Sequence, residues 1–321
     1  MAAATVRAER SRWRSLPGGL SPGTSILLTC QSLRAGIVAI ATMATIATMP
    51  VQGVMAQSQR VSAIDLVNKG MQSVQQGRLS EALGAFQEAT QIDPTFALGH
   101  YNLGLALRQR GELQEAASAF YRATQADPQF ALAYANLGAA LLEGNNLEQA
   151  TAYLQRAVQL DREMGLAHYN LGLVREKQGL FAEAIASYKQ AIRYSPNAPE
   201  PAYHLGIIHL QQGQLSEAKD AFEKAIEIYP NYPQAHYHLG FVFFNEGNLD
   251  RALDAFRRST ESNPTYANAY YGAGLVFLRQ ANYSEAERVL AFALELYTNQ
   301  GSDRWVEKAS QMLELARNRK R

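Results

Sequence analysis

Seven glycines stand 34 residues apart without an insertion: Gly70, Gly104, Gly138, Gly172, Gly206, Gly240 and Gly274. Twelve residues after each comes an alanine: Ala82, Ala116, Ala150, Ala184, Ala218, Ala252 and Ala286. A fixed period of this length marks stacked copies of one supersecondary unit rather than a single folded core. Seven blocks result: 63–96, 97–130, 131–164, 165–198, 199–232, 233–266 and 267–300. Numbering each block from 1 to 34 puts the glycines at position 8 and the alanines at position 20. Position 24 holds Phe86, Phe120, Leu154, Tyr188, Phe222, Phe256 and Leu290; position 27 holds Ala89, Ala123, Ala157, Ala191, Ala225, Ser259 and Ala293. Position 32 is Pro94, Pro128, Pro196, Pro230 and Pro264, with Arg162 and Thr298 as departures.

Each block reads as two amphipathic helices. Glycines such as Gly77, Gly111, Gly179, Gly213 and Gly247 end the first helix by supplying a left-handed turn, and the proline ends the second. Small residues at positions 8, 20 and 27 let helix axes approach to about 8–10 Å, and the large residue at 24 fills what remains. Ser62 and Asp65 are the expected start of the first helix, after a short linker over 57–62. Residues 301–321 are expected to be a capping helix with a basic tail. It starts at Ser302 and Asp303, buries Trp305, Val306, Ala309, Met312, Leu313 and Ala316 as one stripe, and ends in Arg317, Arg319, Lys320 and Arg321. Arg162 in place of proline makes the junction of the third and fourth blocks the expected irregular point.

These positions resemble the tetratricopeptide repeat (TPR) family over 238 of 321 residues. The resemblance implies an all-α fold, an α-solenoid wound as a right-handed superhelix, whose first helices line a concave groove with positions 2, 5, 9, 12 and 13. At position 5 the groove would carry Tyr101, Ala135, Tyr169, Tyr203, Tyr237 and Tyr271, and at position 9 Leu105, Ala139, Leu173, Ile207 and Phe241. A tyrosine row beside an aliphatic row suits a protein or peptide partner, because tyrosine joins apolar area to a hydroxyl. Ala135 and Ala139 interrupt both rows and are expected to leave room for a guest side chain. Asn102, Asn136 and Asn170, at position 6, look like the asparagine ladders by which some superhelical TPR domains hold a peptide backbone. Positions 2, 5 and 6 carry no Lys or Arg, so the carboxylate clamp of some chaperone-binding relatives is missing.

Ahead of the blocks, Arg7, Arg10, Arg12, Arg14 and Arg34 face a single acid, Glu9, and are followed by AGIVAIATMATIATM and Pro50. Residues 1–56 read as a secretory signal peptide cleaved after Ala56, with a retained signal anchor as the alternative. The expected location is a periplasm or thylakoid lumen, or a membrane-anchored form with the repeats on the exported side. Cleavage would remove Cys30, the only cysteine, and leave 25 basic against 28 acidic residues, which offers no footprint for nucleic acid. The alanine- and glutamine-rich blocks resemble cyanobacterial exported TPR proteins.

HYNLGL occurs at 100–105 and again at 168–173, so its histidine invites a catalytic or metal-binding reading. His100, His168 and His236 fall at position 4, His204 and His238 at position 6 and His209 at position 11, with no carboxylate partner evident from the repeat pattern. No phosphate loop, nucleophile elbow or paired-carboxylate motif rises above that pattern. The expectation is a non-enzymatic scaffold without cofactor or metal, serving assembly of an envelope or thylakoid membrane complex. A histidine-based metal-binding protein is the alternative.

Overall fold

The computed structural model describes residues 51–320, with side chains from Gln57 onward. The expected leader lies outside that range, except that Val51 to Ala56 open the first helix. Among the described residues there are fifteen α-helices and no strand. In order they are α1 (Val51–Gln75), α2 (Leu79–Ile92), α3 (Ala97–Arg110), α4 (Leu113–Ala126) and α5 (Ala131–Glu143). Next come α6 (Leu147–Leu160), α7 (Gly165–Lys177), α8 (Phe181–Tyr194), α9 (Glu200–Gln211) and α10 (Leu215–Ile228). The last are α11 (Pro233–Asn245), α12 (Leu249–Ser262), α13 (Ala267–Arg279), α14 (Tyr283–Asn299) and α15 (Asp303–Lys320). Each odd helix up to α13 packs chiefly on the even helix that follows it, and each even helix packs on the next odd one. That nearest-neighbour pattern is an α-solenoid.

The pairs are set by the contact between positions 8 and 24. A Cβ added at Gly104 would lie 2.7 Å from the Phe120 ring, and one at Gly240 would lie 2.8 Å from the Phe256 ring. No side chain fits there, so the odd helix rests its backbone on the ring. Phe86, Phe120, Tyr188, Phe222 and Phe256 are each at most 2% exposed. Each such ring stabilises its pair by roughly 1.5–3 kcal/mol relative to an exposed one. All seven alanines at position 20 are 0% exposed. Position 27 is equally closed, and where it departs to Ser259 the hydroxyl donates to Pro233 O at 2.7 Å.

The turns between pairs have their own chemistry. Asp93, Asp127 and Asp161 each accept a backbone N–H two residues on, from Thr95, Gln129 and Glu163, at 2.9–3.0 Å. The turn after Asp161 therefore keeps the common geometry in spite of Arg162, and the irregularity expected there does not occur. It falls one junction later. There α9 begins at Glu200, at position 2, where α3, α5, α7, α11 and α13 begin at position 1.

At the N-terminal end the expected linker is helical. Residues 57–62 belong to α1, and Ser62 and Asp65 lie inside it rather than at its start. Arg60 accounts for this by docking the segment on the end of α2: it pairs with Asp93, donates to Thr95 Oγ1 at 3.0 Å and lies 4.9 Å from the Phe96 ring centre. At the other end α15 buries Ala309, Leu313 and Ala316, leaving Trp305, Val306 and Met312 half-buried. Arg317 and Lys320 both pair with Glu287 of α14, at 3.1 and 2.9 Å.

Within each pair the turn passes through a left-handed residue at position 15. Five are glycines, such as Gly247 at φ 79°, but Asn145 (φ 59°) and Ala281 (φ 55°) are not. Asparagine tolerates that region, whereas alanine is strained there by about 1–2 kcal/mol. Ala281→Gly is therefore expected to raise the stability of the last pair by about 1 kcal/mol, after the entropic cost of glycine is deducted. Urea unfolding followed by Trp305 fluorescence, in a Trp13→Phe background, checks this; Gly247→Ala is expected to move the midpoint the other way.

Candidate functional site

The residues expected to face a partner stand on the odd helices, and the structure divides them. Tyr169, Tyr203, Tyr237 and Tyr271 are half-buried, as are Leu105, Leu173 and Ile207, while Phe241 is exposed at 37%. Tyr101 is buried. Its ring lies 4.9 Å from that of Phe130, and its hydroxyl accepts from Asn136 Nδ2 at 3.3 Å. The gap expected at the two alanines is closed by the array itself. Ala135 has 0% exposure and packs with Ala157 and Ala167 under Met164, and Ala139 is 5% exposed. Small side chains here let α5 and α7 come together, so both positions are packing positions with no surface to offer a guest.

The amide row is also turned inward. Asn102 and Asn136 donate to the carbonyls one turn back, Leu98 O at 2.8 Å and Leu132 O at 3.0 Å. Asn136 and Asn170 are each 6% exposed. Only the Asn102 amide retains substantial access, with its oxygen unbonded among the described residues.

The histidines of position 4 have one shared structural task. Nε2 of His100, His168 and His236 donates to the carbonyl at position 32 of the preceding block, Pro94, Arg162 and Pro230, at 2.7–2.9 Å. They tie each odd helix to the turn before it. Nδ1 of His100 and of His236 is buried without a hydrogen-bond partner, and burial holds both imidazoles below the ordinary histidine value. No group of three or more His, Cys, Asp or Glu placed to hold a metal ion occurs among the described residues.

Position 6 behaves differently. The His204 ring lies 5.9 Å from Tyr169, 5.4 Å from Tyr203 and 5.6 Å from Tyr188, on which it stacks. His238 stacks on Phe222 at 5.5 Å and meets Tyr203 and Tyr237 edge-on or tilted. An aromatic chain thus runs from Tyr169 through Tyr203 to Tyr237 and, by way of Tyr232 and Tyr266, into the turns behind. Burial raises all of these phenols, with Tyr237 pushed up to about 12, so they serve as neutral hydrogen-bonding surface and not as bases.

One charged group enters this chain, and the repeat pattern did not reveal it. Glu176 Oε2 accepts from Tyr188 Oη at 2.5 Å and from His204 Nδ1 at 3.1 Å. The three residues come from α7, α8 and α9. Burial pushes the Glu176 carboxyl up, but the bonds from His204 and Tyr188 outweigh it and hold the group below its ordinary value. A signal was present: Tyr188 is the one hydroxyl-bearing residue at position 24, and Glu176 the one acid at position 12. A buried phenol needs an acceptor.

Two family models cover the repeats. The one described as the tetratricopeptide repeat protein 21 C-terminal ARM domain matches residues 53–239, and one described as tetratricopeptide repeat matches residues 237–301. The chain belongs to the tetratricopeptide repeat family. No curated protein matches it. Among solved structures, YrrB, a TPR protein with an unusual peptide-binding site, is 29% identical at TM-score 0.50, covering 61% of this chain and 99% of its own. PilF of Pseudomonas aeruginosa is 20% identical at TM-score 0.59, covering 66% and 96%. A TPR protein from Parabacteroides merdae is 20% identical at TM-score 0.57, covering 79% and 98%. The last two show the fold alone. A TPR fold is generally a non-enzymatic interaction scaffold.

His238 makes the array sensitive to acid. Burial lowers its pKa from 6.5 to about 4, so below pH 6.5 the unfolded chain takes up a proton that the folded chain refuses. The stability contributed by the neutral ring is intact above pH 6.5 and drains as pH falls towards about 4. Going from about pH 7 to about pH 5, His238 is expected to account for a loss of about 2 kcal/mol. His238→Phe, which keeps the stack on Phe222, is expected to remove that share of the pH dependence in urea unfolding and leave the share due to His100 and His236.

Proposed function

We propose that the chain is a non-enzymatic scaffold that holds an extended segment of a protein partner against the concave face of its odd helices. The observation that carries this reading is the half-buried row of Tyr169, Tyr203, Tyr237 and Tyr271, one per block over four successive blocks, beside Leu173, Ile207 and exposed Phe241. Rigid aromatic side chains already held by their neighbours bind with little loss of side-chain entropy. The likeness to YrrB, itself a TPR protein with a peptide-binding site, supports it. A photoreactive side chain at Phe241 is expected to cross-link the partner, whereas one at Tyr121, exposed on even helix α4, is not. Phe241→Ala is then expected to weaken binding of that partner by about tenfold. Equal cross-linking from both positions would sink the reading.

The leader adds a setting to this proposal: the scaffold works on the exported side of a membrane, in assembly of an envelope or thylakoid membrane complex, either freed by cleavage after Ala56 or tethered by residues 1–56 retained as a signal anchor. The mature N-terminus distinguishes the two. Mass spectrometry finding Gln57 first would establish release, and an intact leader in the membrane fraction would establish the tether.

A further inference from the structure

The surface shared by α7 and α9 has a chemical preference that the rest of the row lacks. The space between these two helices is occupied by the rings of Tyr169, Tyr203 and His204, with Tyr232 closing the far side 5.2 Å from Tyr203. Glu176 is set into this wall with a side chain 21% exposed. Both of its hydrogen bonds fall on Oε2, and Oε1 has no partner among the described residues. The carboxylate stays ionised although it is partly desolvated. Glu200, exposed at the start of α9, lies near enough to Tyr169 and Tyr232 for its charge to oppose ionisation of both phenols.

The cations of the odd helices are directed elsewhere. Arg175, next to Glu176 on α7, donates to Glu183 O and Ser187 Oγ of α8, Arg108 is paired with Glu143, and Arg279 donates to Phe244 O. Lys177, next to Glu176, acts on that carboxylate at a distance and makes no ion pair among the described residues. The charged groups set against the aromatic faces are the two carboxylates, and the quadrupoles of those faces are themselves negative. That combination repels an anion and attracts a cation, most strongly where water is partly excluded.

We infer that the partner segment presents a lysine or arginine side chain to this surface, its charge paired with Glu176 and Glu200 and its methylenes laid against Tyr169 and Tyr203. This rests on the odd-helix face being the partner-binding surface. It gives the groove a register, because one basic residue fixes where the segment sits along an otherwise repetitive row.

A random peptide library selected on the full chain provides the test. Selected peptides are expected to be enriched in lysine or arginine, and replacing that residue by norleucine should weaken binding by about tenfold, the scale of a partly desolvated cation–aromatic contact with a carboxylate nearby. Glu200→Gln, at an exposed position, and Glu176→Gln should each erase most of the preference for lysine over norleucine, while Glu217→Gln on α10 leaves it intact. Peptides that lose binding in Tyr203→Ala and Phe241→Ala but carry no basic residue, or whose preference survives Glu200→Gln, would overturn the cationic inference and leave the groove reading in place. No selected peptides, or peptides indifferent to Tyr203→Ala and Phe241→Ala, would overturn both.

Discussion

The seat of each glycine at position 8 under the large residue at position 24 is the contact from which the other features follow. With no Cβ at Gly206, the backbone of α9 lies directly on the Phe222 ring, and the rotation of the helix about its axis is then fixed. At about 100° per residue, position 4 falls on one side of that contact and positions 5 and 9 on the other. This is why His236 reaches back to the Pro230 carbonyl while Tyr237, its immediate neighbour, turns toward the face where Phe241 is exposed. One steric constraint, repeated seven times, sorts adjacent residues into cement and surface.

The same contact explains where polar chemistry enters. When position 24 is phenylalanine, the ring demands nothing of its surroundings. Tyr188 keeps the ring but adds a hydroxyl at 0% residue exposure, and burying it without an acceptor would cost about 1–3 kcal/mol. Glu176 supplies the acceptor, and His204 satisfies the carboxylate from the next block. A single substitution at a core position is thus linked to a charge on the binding face.

Much of this was legible in the sequence. The period, the helix pairs, the left-handed turns and the family could be read from residues whose role depends only on position within a block, such as Gly104, Ala116 and Pro128. The tyrosine row was legible in part, because Tyr203 and Tyr237 follow the pattern while Tyr101 is drawn into the core by Phe130 and Asn136. The supposed vacancy at Ala135 was misread for a definite reason. A small residue facing a partner and a small residue admitting a neighbouring helix look alike in one block, and only the packing of Ala157 and Ala167 tells them apart. Arg162 was overvalued likewise: the turn it occupies is held by the Asp161 side chain and the His168 ring, neither of which needs proline. Glu176 was missed because its two partners, Tyr188 and His204, lie in two other helices and two different blocks, a relation that periodicity averages away.

What distinguishes this array from a uniform one is therefore concentrated where the pattern breaks. Position 2 is aliphatic through Leu98, Leu132 and Leu166 and then turns polar at Glu200, Gln234 and Asn268. The change coincides with the start of α9 at Glu200, one position later than the other odd helices after α1, and with the Glu176 network. Position 2 is accessible in the regular helices as well, as Leu166 at 44% exposure shows, so replacing the aliphatic residue by Glu200 puts a charge beside Tyr169 without burying it. A repeat surface made only of consensus residues would bind a segment in any of several registers differing by one block. Departures that cluster at a single junction break that degeneracy, because only one alignment of the segment meets the polar step, the carboxylates and the aromatic wall together.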